Sequence, residues 1–195
     1  MARRVCSSAR RRQVGFSLVE VSIVTAIVLI VSILGIPAIN SYVIENKVPK
    51  VAGELQRYVA RTKANGQGVT SPYTGIDTGN LARAMRNSSI LAVDADSLAR
   101  VAHGLGGNGT SSGLIAVAAG NGGASFTVTL DDVNDAACPG LASMMQRVAQ
   151  RIEVTGGSAA VVKDALSAPA VAYSALAAES ACSNGDTNQF AFTIW

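Results

Sequence analysis

Histidine is almost missing from this chain: His103 is the single one in 195 residues. A histidine-rich metal site and a histidine-based nucleophilic triad both lack their raw material. Glycine is plentiful, but Gly104-Leu-Gly-Gly-Asn-Gly has no Walker lysine and follows a segment that reads as helix, not strand. It is expected to be a loop, not a phosphate cradle. Asp131, Asp132 and Asp135 lack the alternating oxygen ligands of a calcium loop, so turn and cap roles are expected of them. No catalytic residue, metal site or cofactor is expected, and the chain reads as a non-enzyme.

Charge is missing in one place where its loss is informative. Val21 to Ile39 contains no charged residue. Without that run, the remainder is polar, rich in glycine and alanine, and reads as an ordinary soluble domain. Residues 16–39 as a helix would be about 36 Å long, enough for a bilayer core of roughly 30 Å. A buried helix of a soluble protein rarely keeps so uniform an apolar surface, so a membrane-inserting helix is expected. Acidic residues are absent before Phe16, where Arg3, Arg4, Arg10, Arg11 and Arg12 lie. These five of the sixteen Lys and Arg leave eleven in the rest of the chain, against thirteen Asp and Glu. A basic cluster beside a spanning helix stays cytoplasmic, so the part beyond the helix is translocated. Topology explains the arginines better than nucleic-acid binding, and no nucleic-acid partner is expected.

Cysteine is scarce. Cys6 lies in the basic segment, leaving Cys138 and Cys182 in the exported portion. An oxidising compartment favours pairing them. The bridge would close about 45 residues and add up to about 4 kcal/mol on chain-entropy grounds. Two unpaired buried thiols are the alternative.

Also missing is a small-residue cleavage site after the apolar run, where a secretory signal would carry one. The order is instead a basic leader, Gly15, Phe16-Ser-Leu-Val-Glu20 and the charge-free stretch. That order resembles the prepilin signature of type IV pilins: a hydrophilic leader ending in Gly, a Phe or Met, and a glutamate at the fifth mature position. Pro37 also matches, at the twenty-second mature position, where many type IV pilins carry a proline. The resemblance implies that prepilin peptidase cuts after Gly15 on the cytoplasmic face and methylates the new amino terminus at Phe16. Glycine leaves the backbone open to a peptidase because no Cβ stands in the way.

Glu20 is costly in such a segment: roughly 2.5–3.5 kcal/mol for an acidic side chain at the centre of a spanning helix, and less near the interface. Its helix N-terminus repays about 0.3–1 kcal/mol. In the resembled family the glutamate pairs with the amino terminus of a neighbouring subunit, which here would join Glu20 to Phe16. A misregistered subunit would leave a charge unpaired in an apolar filament core.

Past the apolar run, Ile44, Val48, Val51, Leu55 and Tyr58 recur every three or four residues and make one apolar helical face. A spine helix from Ser17 to about Thr62 is expected, bent or locally melted near Gly35, Pro37, Pro49 and Gly53. Short helices are expected at residues 80–86 and 94–103, and a longer one at 141–151. Leu114–Ala119 and Ser125–Leu130 read as a hairpin, with further strands at 152–155 and 189–195.

The expected organisation is a leader over 1–15, an apolar transmembrane and filament-core helix over 16–39, the amphipathic half of the spine over 40–64, and a head over 65–195. The resemblance implies an α+β pilin fold, with the spine packed on a C-terminal antiparallel sheet. A helix just after Cys138 and a strand soon after Cys182 resemble type IVb pilins, in which the two cysteines bound a surface-displayed region, here 138–182. The short leader and Phe16 are closer to type IVa.

The implied function is a structural subunit of a type IV pilus serving adhesion, motility, aggregation or conjugation. Its implied partners are copies of itself, prepilin peptidase and the inner-membrane assembly machinery. The implied location is the inner membrane, with the N-terminus cytoplasmic and the head periplasmic, and then the extracellular pilus. The alternative is a minor pilin or a type II secretion pseudopilin.

Overall fold

The computed structural model describes Gly15 and residues 17–195. It divides after Ile39 into two units, of which Asn40–Trp195 is the second. Helix α1 (Leu18–Asn65) contributes to both. The expected melting near its prolines is not seen, since the helix is continuous across residues 35–53. Proline's fixed φ is compatible with a helix, and the lost donor at Pro49 is flanked by Val48, Val51 and Ala52, which are buried in the head. In this second unit Leu55 and Tyr58 complete the buried face that the sequence periodicity marked, and Val59 is buried beside them.

The head follows as α2 (Thr78–Ala84), β1 (Ala92–Val93), β2 (Val101–Ala102), β3 (Ile115–Gly120), β4 (Ser125–Asn134), α3 (Cys138–Met145), β5 (Arg151–Thr155), β6 (Ala159–Asp164), α4 (Ala175–Ala181) and β7 (Asp186–Ile194). A five-stranded antiparallel sheet has the order β3-β4-β7-β5-β6. Alternate residues of its strands, among them Phe126, Val128, Leu130, Ile152, Val154, Phe190, Phe192 and Ile194, join the α1 face in one core. Tyr58 of α1 meets Phe126 edge-on, with ring centroids 6.4 Å apart. Gln56 of the same helix donates to the carbonyl of Met144. The fold is α+β, as the sequence implied.

Local chemistry sets the boundaries. In a capping box at α2, Asp77 accepts the Asn80 N–H while the Asn80 amide accepts the Asp77 N–H. Pro139 sits in the first turn of α3, where its missing donor costs nothing. Ser174 caps α4 through the Ala177 N–H. Gly123, at φ +89°, lies against Thr74 so closely that a Cβ would stand 2.2 Å from its hydroxyl oxygen.

Several expectations are corrected. Residues 94–103 form no helix: β1 and β2 make a short hairpin instead. Asp94 accepts the N–H of Asp96 and the hydroxyl of Ser97, and it pairs with the Arg100 guanidinium at 2.9 Å. Such local bonding outcompetes helix formation. The helix expected over 141–151 begins at Cys138 and stops at Met145. Lys163 caps its end by donating to the carbonyls of Gln146 and Ala149, and pairing with β7 draws Arg151 onward into β5. Asp131 and Asp132 belong to β4 and not to a turn, because a bulge between Leu130 and Val133 carries the strand on to Asn134.

Candidate functional site

The residues proposed for processing lie at the start of the chain. Gly15 is exposed, and among the described residues no atom outside its chain neighbours lies within 4 Å of where a Cβ would stand. Phe16 and the arginine leader lie outside the described residues. Glu20 is exposed in the first turn of α1, where a carboxylate meets the unpaired N–H groups of the helix start. Among the described residues no cation pairs with it.

Around Glu20 the helix presents apolar side chains on every side. Leu18 is 85% exposed and Leu34 72%, with Ile23, Val24, Ile27, Val28, Leu29, Ile30 and Val31 also open. A helix apolar all round is suited to lipid or to other helices. It is long and apolar enough to cross a membrane. Its few hydroxyls fit the same medium. Ser22 donates to the Val19 carbonyl, Thr25 to those of Val21 and Ser22, and Ser32 to that of Val28. Each finds its partner within the helix, so none asks the surroundings for one.

The second candidate feature is the bridge between Cys138, at the start of α3, and Cys182, just past α4, with their Cα atoms 6.1 Å apart. Its place in the topology gives it meaning. Strand β4 leaves the sheet at Asn134 and β7 re-enters beside it at Asp186, the two residues being partners in register. The excursion between them builds α3, β5, β6 and α4, then returns β7 to the gap between β4 and β5. Beside the disulfide, Asn134 donates its amide to Asp186 at 2.6 Å, and the Asp135 N–H bonds to the Gly185 carbonyl. Buried Asn188 accepts the Ser183 N–H and donates to the carbonyls of Val133 and Ser183. The foot of the excursion is thus clamped covalently and by hydrogen bonds.

Asn188 and Asp186 were not singled out by sequence reasoning. The alternation of Asn188 with Phe190, Phe192 and Ile194 is the signal that puts an amide on the core face. Also missed was the ion cluster of Arg151, Asp164 and Glu153 on β5 and β6. Among the described residues, no three His, Cys, Asp or Glu side chains gather as a metal site.

The family described as PilS N terminal matches residues 46–195, which is most of the chain. No curated protein sequence matches it. Among solved structures it is similar to the type IVb pilin from Salmonella typhi, at 22% identity and a TM-score of 0.48, over 73% of this chain and 94% of that one. The extent of the family match, joined to the apolar helix and the α+β head, makes the conclusion plain: the chain belongs to the PilS family and is a type IV pilin, a structural subunit.

Proposed function

We propose that this pilin is made as a precursor, cut after Gly15 and methylated at Phe16, and then assembled into a pilus through its apolar helix. The observation that carries the reading is a charge-free helical surface interrupted once, by Glu20, five residues after the glycine. Before cutting, the arginines hold the leader in the cytoplasm and the helix spans the inner membrane, with the head in the periplasm. Cutting removes the arginines and creates an amine, mostly cationic at neutral pH. Glu20 pairs with the Phe16 amine of a neighbouring copy as the helix leaves lipid for the filament core. The carboxylate then works as a register key, because a slipped subunit strands a charge in apolar surroundings. Prepilin peptidase and the inner-membrane assembly machinery are the required partners, and the extracellular pilus is the destination.

Replacing Glu20 with Ala tests the pairing. Cleavage should proceed, because the leader is untouched, while the yield of sheared filaments falls about tenfold or more, as expected for losing a charge-assisted pair. A normal filament yield from E20A would refute the pairing role.

A further inference from the structure

Where the β3–β4 turn meets the ends of β7 and β6, the head carries a cleft of about 470 Å³. Its charges are already spent on one another. The guanidinium of Arg151 donates to Asp164 Oδ2 at 2.6 Å and also to Glu153. The other oxygen of Asp164 accepts the N–H groups of Leu166 and Ser167. The Asp164 side chain is 7% exposed and that of Arg151 37%. Asp164 is therefore an anchor, while Arg151 reaches the surface with most of its five donors uncommitted and its plane fixed. One cation against two carboxylates gives no attraction for an anion.

The remaining lining is hydroxyl and aromatic. Thr127 and Thr193 face each other across β4 and β7 with their hydroxyl oxygens 3.3 Å apart, and either can donate. Asn121 donates to the Ser125 hydroxyl at 3.0 Å. Groups that both give and accept hydrogen bonds are matched by a ligand whose own groups do both. Trp195, 40% exposed, lines the same cleft and adds apolar surface. A nucleotide would share the stacking but would bring phosphates, which the carboxylates disfavour.

We propose that this cleft binds a neutral saccharide, with ring hydroxyls on Arg151, Thr127 and Thr193 and the C–H face of a pyranose against Trp195. The inference does not depend on filament assembly, so its failure would leave that reading untouched.

Trp195 is the chain's one tryptophan, so its emission reports on the cleft directly. The full chain, held in a zwitterionic detergent without a sugar headgroup, is titrated with the methyl glycosides of glucose, galactose, mannose and N-acetylglucosamine. Glucose 6-phosphate serves as the anionic counterpart. At least one neutral glycoside should shift the emission saturably, and glucose 6-phosphate should bind about tenfold more weakly than methyl glucoside or not at all. Thr193→Val, which keeps the side-chain shape, should weaken the preferred glycoside about tenfold, the worth of one hydrogen bond, with the circular dichroism spectrum unchanged. Should Thr193→Val fail to fold, Thr127→Val makes the same test. No saturable change with any glycoside, equal or tighter binding of the phosphate, or unchanged affinity in the folded valine variant would each overturn the proposal.

Discussion

At the residue scale, His103 shows how burial and bonding fix a protonation state. Its ring is fully buried. The Leu105 N–H donates to Nδ1 at 3.0 Å, and Nε2 donates to the Asp131 carbonyl at 2.7 Å. An N–H can only donate and a carbonyl only accept, so the neutral ring with its proton on Nε2 is the form that fits. Burial pushes its pKa down, against the opposing pull of the Asp131 carbonyl and the carboxylates of Asp131, Asp132 and Asp186. A second proton would turn Nδ1 against the Leu105 donor. Since the folded pKa lies below the unfolded value of about 6.5, the stabilisation is complete above that pH. It is lost as the pH falls from there through the folded pKa. Equilibrium unfolding at a series of pH values should show that loss, and His103→Gln, which can give and accept without titrating, should flatten the same stretch of the curve.

At the element scale, the outcome for each segment followed from what decided it. The face of α1 that enters the head was legible because large apolar residues recur every three or four positions from Ile44 to Tyr58, and all are buried. The β3–β4 hairpin was legible from β-branched alternation around Asn121-Gly-Gly. Helix α4 was not, because Ala175–Ala181 is mostly alanine and marks no apolar stripe; Ser174 starts it, and Ala178 and Ala181 bury its small face. Strand β6 was missed because its pairing with β5 is a long-range event that a short Val-Val run does not announce. At 94–103 the residues Leu98-Ala-Arg-Val-Ala have helical character, yet Asp94 and a left-handed Leu98 at φ +50° turn the chain back. Of the candidate site, Gly15, Phe16 and Glu20 rest on the resemblance to the prepilin signature, and the cysteine pair was marked by parity. The Arg151 cluster went unseen because its members meet only when β5 and β6 pair.

The disulfide belongs to this scale too, since it ties the ends of the excursion that positions β5, β6 and β7. With the cysteines 44 positions apart in sequence, Cys138→Ser should lower head stability by up to about 4 kcal/mol. Denaturant melts of the full chain with and without reductant would measure the change. Limited proteolysis should then cut first between residues 138 and 182. Unchanged stability and protease resistance would show that the hydrogen-bond clamp of Asn134, Asp186 and Asn188 suffices alone.

For the whole molecule, the account rests on a division of labour. Asn40–Trp195 satisfies itself with a buried core, a hydrogen-bonded sheet and a covalent clamp. The apolar stretch before it bonds its hydroxyls internally and its backbone beyond the first turn, but leaves its carbon surface and one carboxylate seeking partners. Lipid can cover the carbon surface, and neighbouring helices can cover both, provided an amine is supplied for Glu20. On the proposed processing, cutting the Gly15–Phe16 bond would supply that amine, so the account stands or falls on the mature amino terminus. Mass spectrometry of the protein recovered from its native cell envelope and from sheared surface material tests it directly. The account predicts a chain beginning at N-methylated Phe16 with residues 1–15 gone; an intact chain still carrying the five leader arginines in the surface fraction would contradict it.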